Sequence, residues 1–124
     1  MAKDFEASKP IYIQITEKIF QRIIRGEIKP GEKLPSVREM AVQSGVNPNT
    51  IQRSYAEMER MGIVETKRGQ GTFVIERGTV VDELKESMQT EVISQFVRNM
   101  EELGFSKQQM LNGLKSYLEE GGQK

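Results

Sequence analysis

The sequence predicts a mainly α fold with one small β-hairpin: an N-terminal winged helix-turn-helix followed by a short two-helix tail. Three observations predict it. Two short helical segments between Leu34 and Arg60 are each opened by capping residues and meet at a tight turn around Gly45. Two β-branched runs follow, parted by a basic tip rich in glycine, and beyond Gly78 the apolar pattern turns wholly helical.

The elements follow in order. Residues 1–9 form an N-terminal arm, since residues 1–8 lack apolar periodicity. Tyr12, Ile15, Ile19 and Ile23 then repeat at helical spacing, with Phe20 and Ile24 widening the stripe and Gly26 ending it. This first helix is expected to be the scaffold against which the next two pack. Ser36-Val37-Arg38-Glu39 is a capping box: the Ser36 hydroxyl accepts from the Glu39 N–H while the Glu39 carboxylate reaches back to the Ser36 N–H. That helix runs to Gln43 or Ser44, where Gly45 supplies a left-handed stop. Asn47 is a favoured N-cap with Pro48 at the first helical position, and Val46 and Ile51 form a hydrophobic staple.

The helix opened by Asn47 has two chemically distinct sides. Ile51, Tyr55 and Met58 fall on one side, which leaves Asn49, Arg53, Ala56 and Arg60 on the other. Amide and guanidinium groups on an outward helix face suit the major groove of double-stranded DNA: Asn pairs with adenine N6/N7 and Arg forks onto guanine O6/N7. Free N–H groups in the first turn are expected to hold a phosphate. Residues 63–66 and 72–75 read as short strands joined by Lys67-Arg68-Gly69-Gln70-Gly71, an exposed tip suited to phosphate contact.

Three runs now carry a family resemblance: Leu34-Pro35-Ser36-Val37-Arg38-Glu39-Met40-Ala41, Val46-Asn47-Pro48-Asn49-Thr50-Ile51 and Arg68-Gly69-Gln70-Gly71-Thr72-Phe73-Val74. Together with Pro10-Ile11-Tyr12 and Ile28-Lys29-Pro30-Gly31-Glu32-Lys33 they resemble the DNA-binding domain of GntR-family bacterial transcription regulators, over Pro10 to Ile75. The short remainder looks like the YtrA subfamily. The resemblance implies that Arg38, Asn49, Thr50, Gln52, Arg53 and the tip Lys67, Arg68, Gly69, Gln70 and Gly71 face DNA, and the two caps Ser36 and Asn47 complete the expected set. Family members with a basic residue at the position of Pro48 gain a phosphate contact that this chain lacks.

Composition points the same way. The 124 residues contain neither Cys nor His, which removes disulfides, thiolate nucleophiles, the usual zinc ligands and the commonest general base. The acidic residues fall at caps and helix surfaces, so we expect no enzyme, no cofactor and no metal site. No apolar run is long enough to span a membrane and residues 1–20 carry no signal-peptide pattern, so the expected location is cytoplasmic with no membrane partner. The net charge of zero divides unevenly: residues 1–78 hold 13 Lys or Arg against 10 Asp or Glu, and residues 79–124 hold 5 against 8. So small a basic excess means that placement supplies the phosphate contacts, and that a single subunit binds weakly.

The expected divisions are thus the arm at 1–9, a winged helix-turn-helix at 10–78 and a helical dimerisation domain at 79–124, with the boundary at Glu76-Arg77-Gly78 and a loose end from Gly121 to Lys124. In the last domain Thr79 with Asp82 resembles a cap, and Val81, Leu84, Met88, Val92, Phe96, Met100 and Leu103 advance by threes and fours to Gly104. Ser106 and Gln109 form a second capping box, Phe105 and Met110 a second staple, and Leu111, Leu114 and Leu118 an apolar stripe. Two such helices have too little material to bury both stripes on each other and also line a pocket of ~300 Å³. Most of that surface is therefore expected to meet a second copy of the chain. The reading is a homodimeric, sequence-specific DNA-binding regulator, a repressor by resemblance, on a pseudo-palindromic operator. A protein-interaction adaptor on a winged scaffold and a non-specific architectural DNA-binding protein are the alternatives. An effector in the dimer groove, whether a small molecule or a metal held by carboxylates, is left open by these residues.

Overall fold

A computed structural model describes residues 7–76 and 79–121. The boundary residues Arg77 and Gly78, most of the N-terminal arm and residues 122–124 lie outside them. Among the described residues five helices and one hairpin follow in the order α1 (Ile11–Ile24), α2 (Val37–Ser44), α3 (Pro48–Arg60), β1 (Val64–Lys67), β2 (Gly71–Val74), α4 (Val80–Glu102) and α5 (Lys107–Glu119). The chain forms two compact units that divide between Lys85 and Glu86, within the first turns of α4.

The first unit is built around α3. Ile51 and Met58 are fully buried and Tyr55 nearly so, as the helical spacing requires. Both α1 and α2 pack on α3, so the central helix is α3 rather than the expected α1. Both neighbours pack apolar residues in this core: Ile15, Ile19, Phe20 and Ile23 of α1 and Met40 and Ala41 of α2 are all buried. Each of the Ile, Phe and Met side chains contributes ~1.5–3 kcal/mol through the apolar surface it removes from water. One polar contact joins α1 to α3 inside this core, between the hydroxyls of Thr16 and Ser54 at 2.6 Å. A second fastens α3 to the segment before α2, where the Tyr55 hydroxyl donates to the Pro35 carbonyl at 2.7 Å.

The hairpin is antiparallel, with Val64 opposite Val74 and Lys67 opposite Gly71. Both strands sit one residue from the expected bounds. The expected ends still pair, because the Ile75 N–H donates to the Ile63 carbonyl at 2.8 Å. Sequence reasoning missed a third extended segment. Gly31 and Leu34 donate to the carbonyls of Val74 and Thr72, and Val74 donates back to Glu32, so the stretch before α2 lines the free edge of β2. Lys33 bridges to Phe73 in the same ladder.

The tail helices have 23 and 13 residues. Ser106 and Gln109 make the expected capping box, with both reciprocal bonds present. Thr79 behaves otherwise: its hydroxyl donates to the Glu83 carboxylate at 2.9 Å, one residue beyond the expected Asp82. The stripes are not buried on each other, as expected. Val92, Leu103, Leu111, Leu114 and Leu118 are exposed, Val81, Met88, Phe96 and Met100 are half-buried, and among the described residues of the second unit only Met110 is buried. Leu84 differs from the rest of the expected interface set: it falls in the first unit and is 8% exposed. With their stripes left largely uncovered, α4 and α5 line an open apolar trough of about 620 Å³, formed by Val92, Ile93, Phe96 and Val97 against Met110, Leu111 and Leu114; the expectation was only that two such helices could not do both. Among the described residues no helix is long and apolar enough to cross a membrane.

Candidate nucleic-acid interface

The turn between α2 and α3 is fixed by backbone chemistry at each end. The Ser36 hydroxyl accepts from the Glu39 N–H at 3.0 Å, and the Glu39 carboxylate accepts from the Ser36 N–H at 2.9 Å. These bonds hold the Glu39 carboxyl below its usual range. Gly45 ends α2 with φ of 69°, the left-handed region in which a side chain is strained. Asn47 then caps α3, its side-chain oxygen accepting from the Asn49 N–H at 2.7 Å.

That cap overturns one expectation. Pro48 has no N–H, the Asn49 N–H is held by the Asn47 side chain, and those of Thr50 and Ile51 point to the Asn47 carbonyl. The first turn of α3 therefore has no free N–H for a phosphate. Local capping satisfies these donors more readily than an incoming anion. What α3 does present is side chains: Asn49, Gln52 and Arg53 are exposed and Thr50 is half-buried. Asn49 lies one turn from both Gln52 and Arg53, so the three form one patch. Arg60, also on the outward side, is committed elsewhere, since its guanidinium pairs with the Glu57 carboxylate, with Nε at 3.1 Å from Oε1. Arg38 is exposed on α2, beside the Ser36 cap.

At the wing the Gln70 N–H closes a turn onto the Lys67 carbonyl at 2.8 Å, with Gly69 at φ of 77° in the third position. Lys67, Arg68 and Gln70 are exposed there, and the Lys67 ammonium lies 4.7 Å from the centre of the Phe73 ring. Lys33 is a cation that sequence reasoning missed. Its side chain crosses Gly71, so close that a Cβ on Gly71 would stand 2.6 Å from the lysine Cε. The signal was the edge pairing of residues 31–34, which no residue pattern advertised.

A second missed residue is Tyr12. The Arg53 guanidinium lies over its ring at 4.1 Å from the centre, and the two share a shallow groove with Pro10, Ile11, Asn49 and Thr50. The expected DNA-facing residues thus form two clusters, one at the start of α3 against the start of α1 and one at the wing, with Ser36 and Arg38 at the start of α2 in neither.

Comparison with known proteins adds the context. The profile of bacterial regulatory proteins of the gntR family matches residues 11–74. The uncharacterized HTH-type transcriptional regulator YhcF of Bacillus subtilis is 59% identical over 121 residues, covering 98% of this chain and all of that one. The HTH-type transcriptional repressor YtrA of the same organism is 44% identical over 95 residues, covering 76% of this chain and 73% of YtrA. Among solved structures, a GntR-family regulator from Listeria monocytogenes superposes with a TM-score of 0.85 at 38% identity, covering 90% of this chain and 98% of that one. With the capped turn, the polar outer side of α3 and the basic wing in place, the chain belongs to the gntR family of bacterial regulatory proteins, as a DNA-binding transcriptional regulator of the YtrA-like kind.

Proposed function

We propose that this regulator binds a pseudo-palindromic operator as a homodimer and represses transcription from it. The observation that carries this reading is the division of α3: Ile51 and Met58 are fully buried while Asn49, Gln52 and Arg53 stand exposed from the opposite side. That patch enters the major groove and reads base edges, with Arg53 as the strongest reader because a guanidinium spans both acceptors of guanine. Lys67, Arg68 and Gln70 on the wing, with Arg38 on α2, contact the sugar-phosphate backbone and fix the register. Ser36 and Asn47 act through their caps, holding the helices that carry the readers. The name of the YtrA relative supports repression.

The tail supplies the second copy. Its apolar trough and the exposed Leu111, Leu114 and Leu118 suit a self-complementary helical interface, as two-fold symmetry demands. Two α3 helices so held reach successive major grooves ~34 Å apart, or a multiple of that spacing.

Selection of bound duplexes from a random pool tests the reading. The expected product is an inverted repeat whose half-site spacing matches whole helical turns. In that sequence Arg53→Ala relaxes preference at one position per half-site, whereas Lys67→Ala weakens all duplexes alike and lowers the salt slope by about one. Recovery of no preferred sequence, or of an unrepeated one, would sink the proposal.

A further inference from the structure

Helical periodicity places Tyr12 in the apolar stripe of α1, yet its ring is only half-buried and carries a cation on its face. The Arg53 guanidinium carbon lies 4.1 Å from the ring centre. Both side chains line the groove of about 340 Å³ between the starts of α1 and α3, together with Asn49 and Thr50. Among the described residues no carboxylate pairs with Arg53. Its neighbour in the stack is therefore an aromatic face rather than an anion that would compete with a nucleotide.

The platform under this stack is itself fixed. Thr16 donates its hydroxyl proton to the Tyr12 carbonyl at 2.8 Å, so the buried bond between Thr16 and Ser54 takes its proton from Ser54. Tyr12 is in this way tied through one turn of α1 to the residue that follows Arg53. A ring on one face of a guanidinium leaves its five N–H donors in the open plane, where two parallel bonds to a base or a phosphate form. Holding a long side chain in that attitude before binding also removes rotamer freedom that binding would otherwise have to remove.

We propose that Tyr12 is a positioning residue for DNA readout, its ring presenting the Arg53 guanidinium to nucleotide acceptors; this rests on the DNA-facing role proposed for Arg53. The hydroxyl of Tyr12 has no part in it.

Fluorescence anisotropy with the full chain tests this, using the selected operator duplex and a random duplex with Tyr12→Phe, Tyr12→Leu, Arg53→Ala and the Tyr12→Leu/Arg53→Ala pair. Tyr12→Phe should bind the operator as the wild type does. Tyr12→Leu, which keeps apolar bulk at the start of α1, should lose about two- to fivefold on the operator, the range of an exposed cation–π contact. In the Arg53→Ala background the same change should cost nothing further. Loss with Tyr12→Phe equal to that with Tyr12→Leu would overturn the proposal by making the hydroxyl a phosphate contact. Additive losses in the double variant would overturn it too. The Arg53 Nε–H resonance of the free protein gives a readout without DNA: ring shielding should vanish in Tyr12→Leu and persist in Tyr12→Phe, and no change in either would remove the stack. Equal operator binding by Arg53→Ala and the wild type would instead remove the role of Arg53 on which it rests.

Discussion

The buried hydroxyl pair between α1 and α3 should respond asymmetrically to deletion of its two members. Thr16 has one proton and spends it on the Tyr12 carbonyl at 2.8 Å, so Ser54 donates across the 2.6 Å contact. Ser54 is fully buried and Thr16 is 4% exposed, so neither can turn to water. Thr16→Val leaves the Ser54 proton without its partner in a closed core, at a cost of about 1–3 kcal/mol. Ser54→Ala removes a donor and leaves Thr16 still bonded to Tyr12, so the loss is the net value of one hydrogen bond, about 0.5–1.5 kcal/mol. The pair Thr16→Val/Ser54→Ala replaces both groups by apolar ones and should cost less than the sum. Urea unfolding of the four proteins closes the cycle. A greater cost for Ser54→Ala than for Thr16→Val would refute the direction assigned to the proton, and strict additivity would refute the coupling.

Three further outcomes follow from other parts of the molecule. Gly71→Ala should destabilise by about 1–3 kcal/mol and exceed Gly69→Ala, because φ of 125° at Gly71 lies well beyond the left-handed well that φ of 77° at Gly69 approaches, whereas the Lys33 side chain over Gly71 is flexible and can move aside. Equal melting temperatures for the two variants would contradict this. Leu111→Glu, at a residue 63% exposed in the isolated chain, should shift sedimentation from dimer to monomer without lowering the stability of the monomer, whereas Leu84→Glu should lower stability itself. Unchanged sedimentation of Leu111→Glu would move the interface elsewhere. Burial pushes the Tyr55 hydroxyl from 10.0 up to about 12. A folded value above the unfolded one means that this contribution is complete below pH 10 and is lost as pH rises through about 12. Tyr55→Phe should remove that part of the alkaline loss in denaturation measured from neutral to high pH, and an identical alkaline profile would count against it.

Much of the first unit was legible because its signals are local. The capping box at Ser36, the left-handed stop at Gly45 and the Asn47 cap with Pro48 depend on residues within three or four positions of one another, and each stands where sequence reasoning put it. The burial of Ile51, Tyr55 and Met58 follows from helical period alone. The strand ends were displaced by one residue because turn and ladder compete for Lys67 and Gly71, and the pattern does not say which prevails. The free first-turn N–H groups were an error of the same kind, since the cap that marks the helix start also consumes its donors.

Local chemistry suffices for the capped helices, the turn between them, the polar outer side of α3 and the basic wing, because each is set by propensities and hydrogen bonds that act over a few residues. The tertiary structure alone decided that Lys33 lies across Gly71, that Arg53 rests on Tyr12, that Leu84 is buried while Leu111 is not, and that α3 is the hub of the first unit. Those outcomes join residues dozens of positions apart. They depend on how whole helices pack, and no local period carries that information.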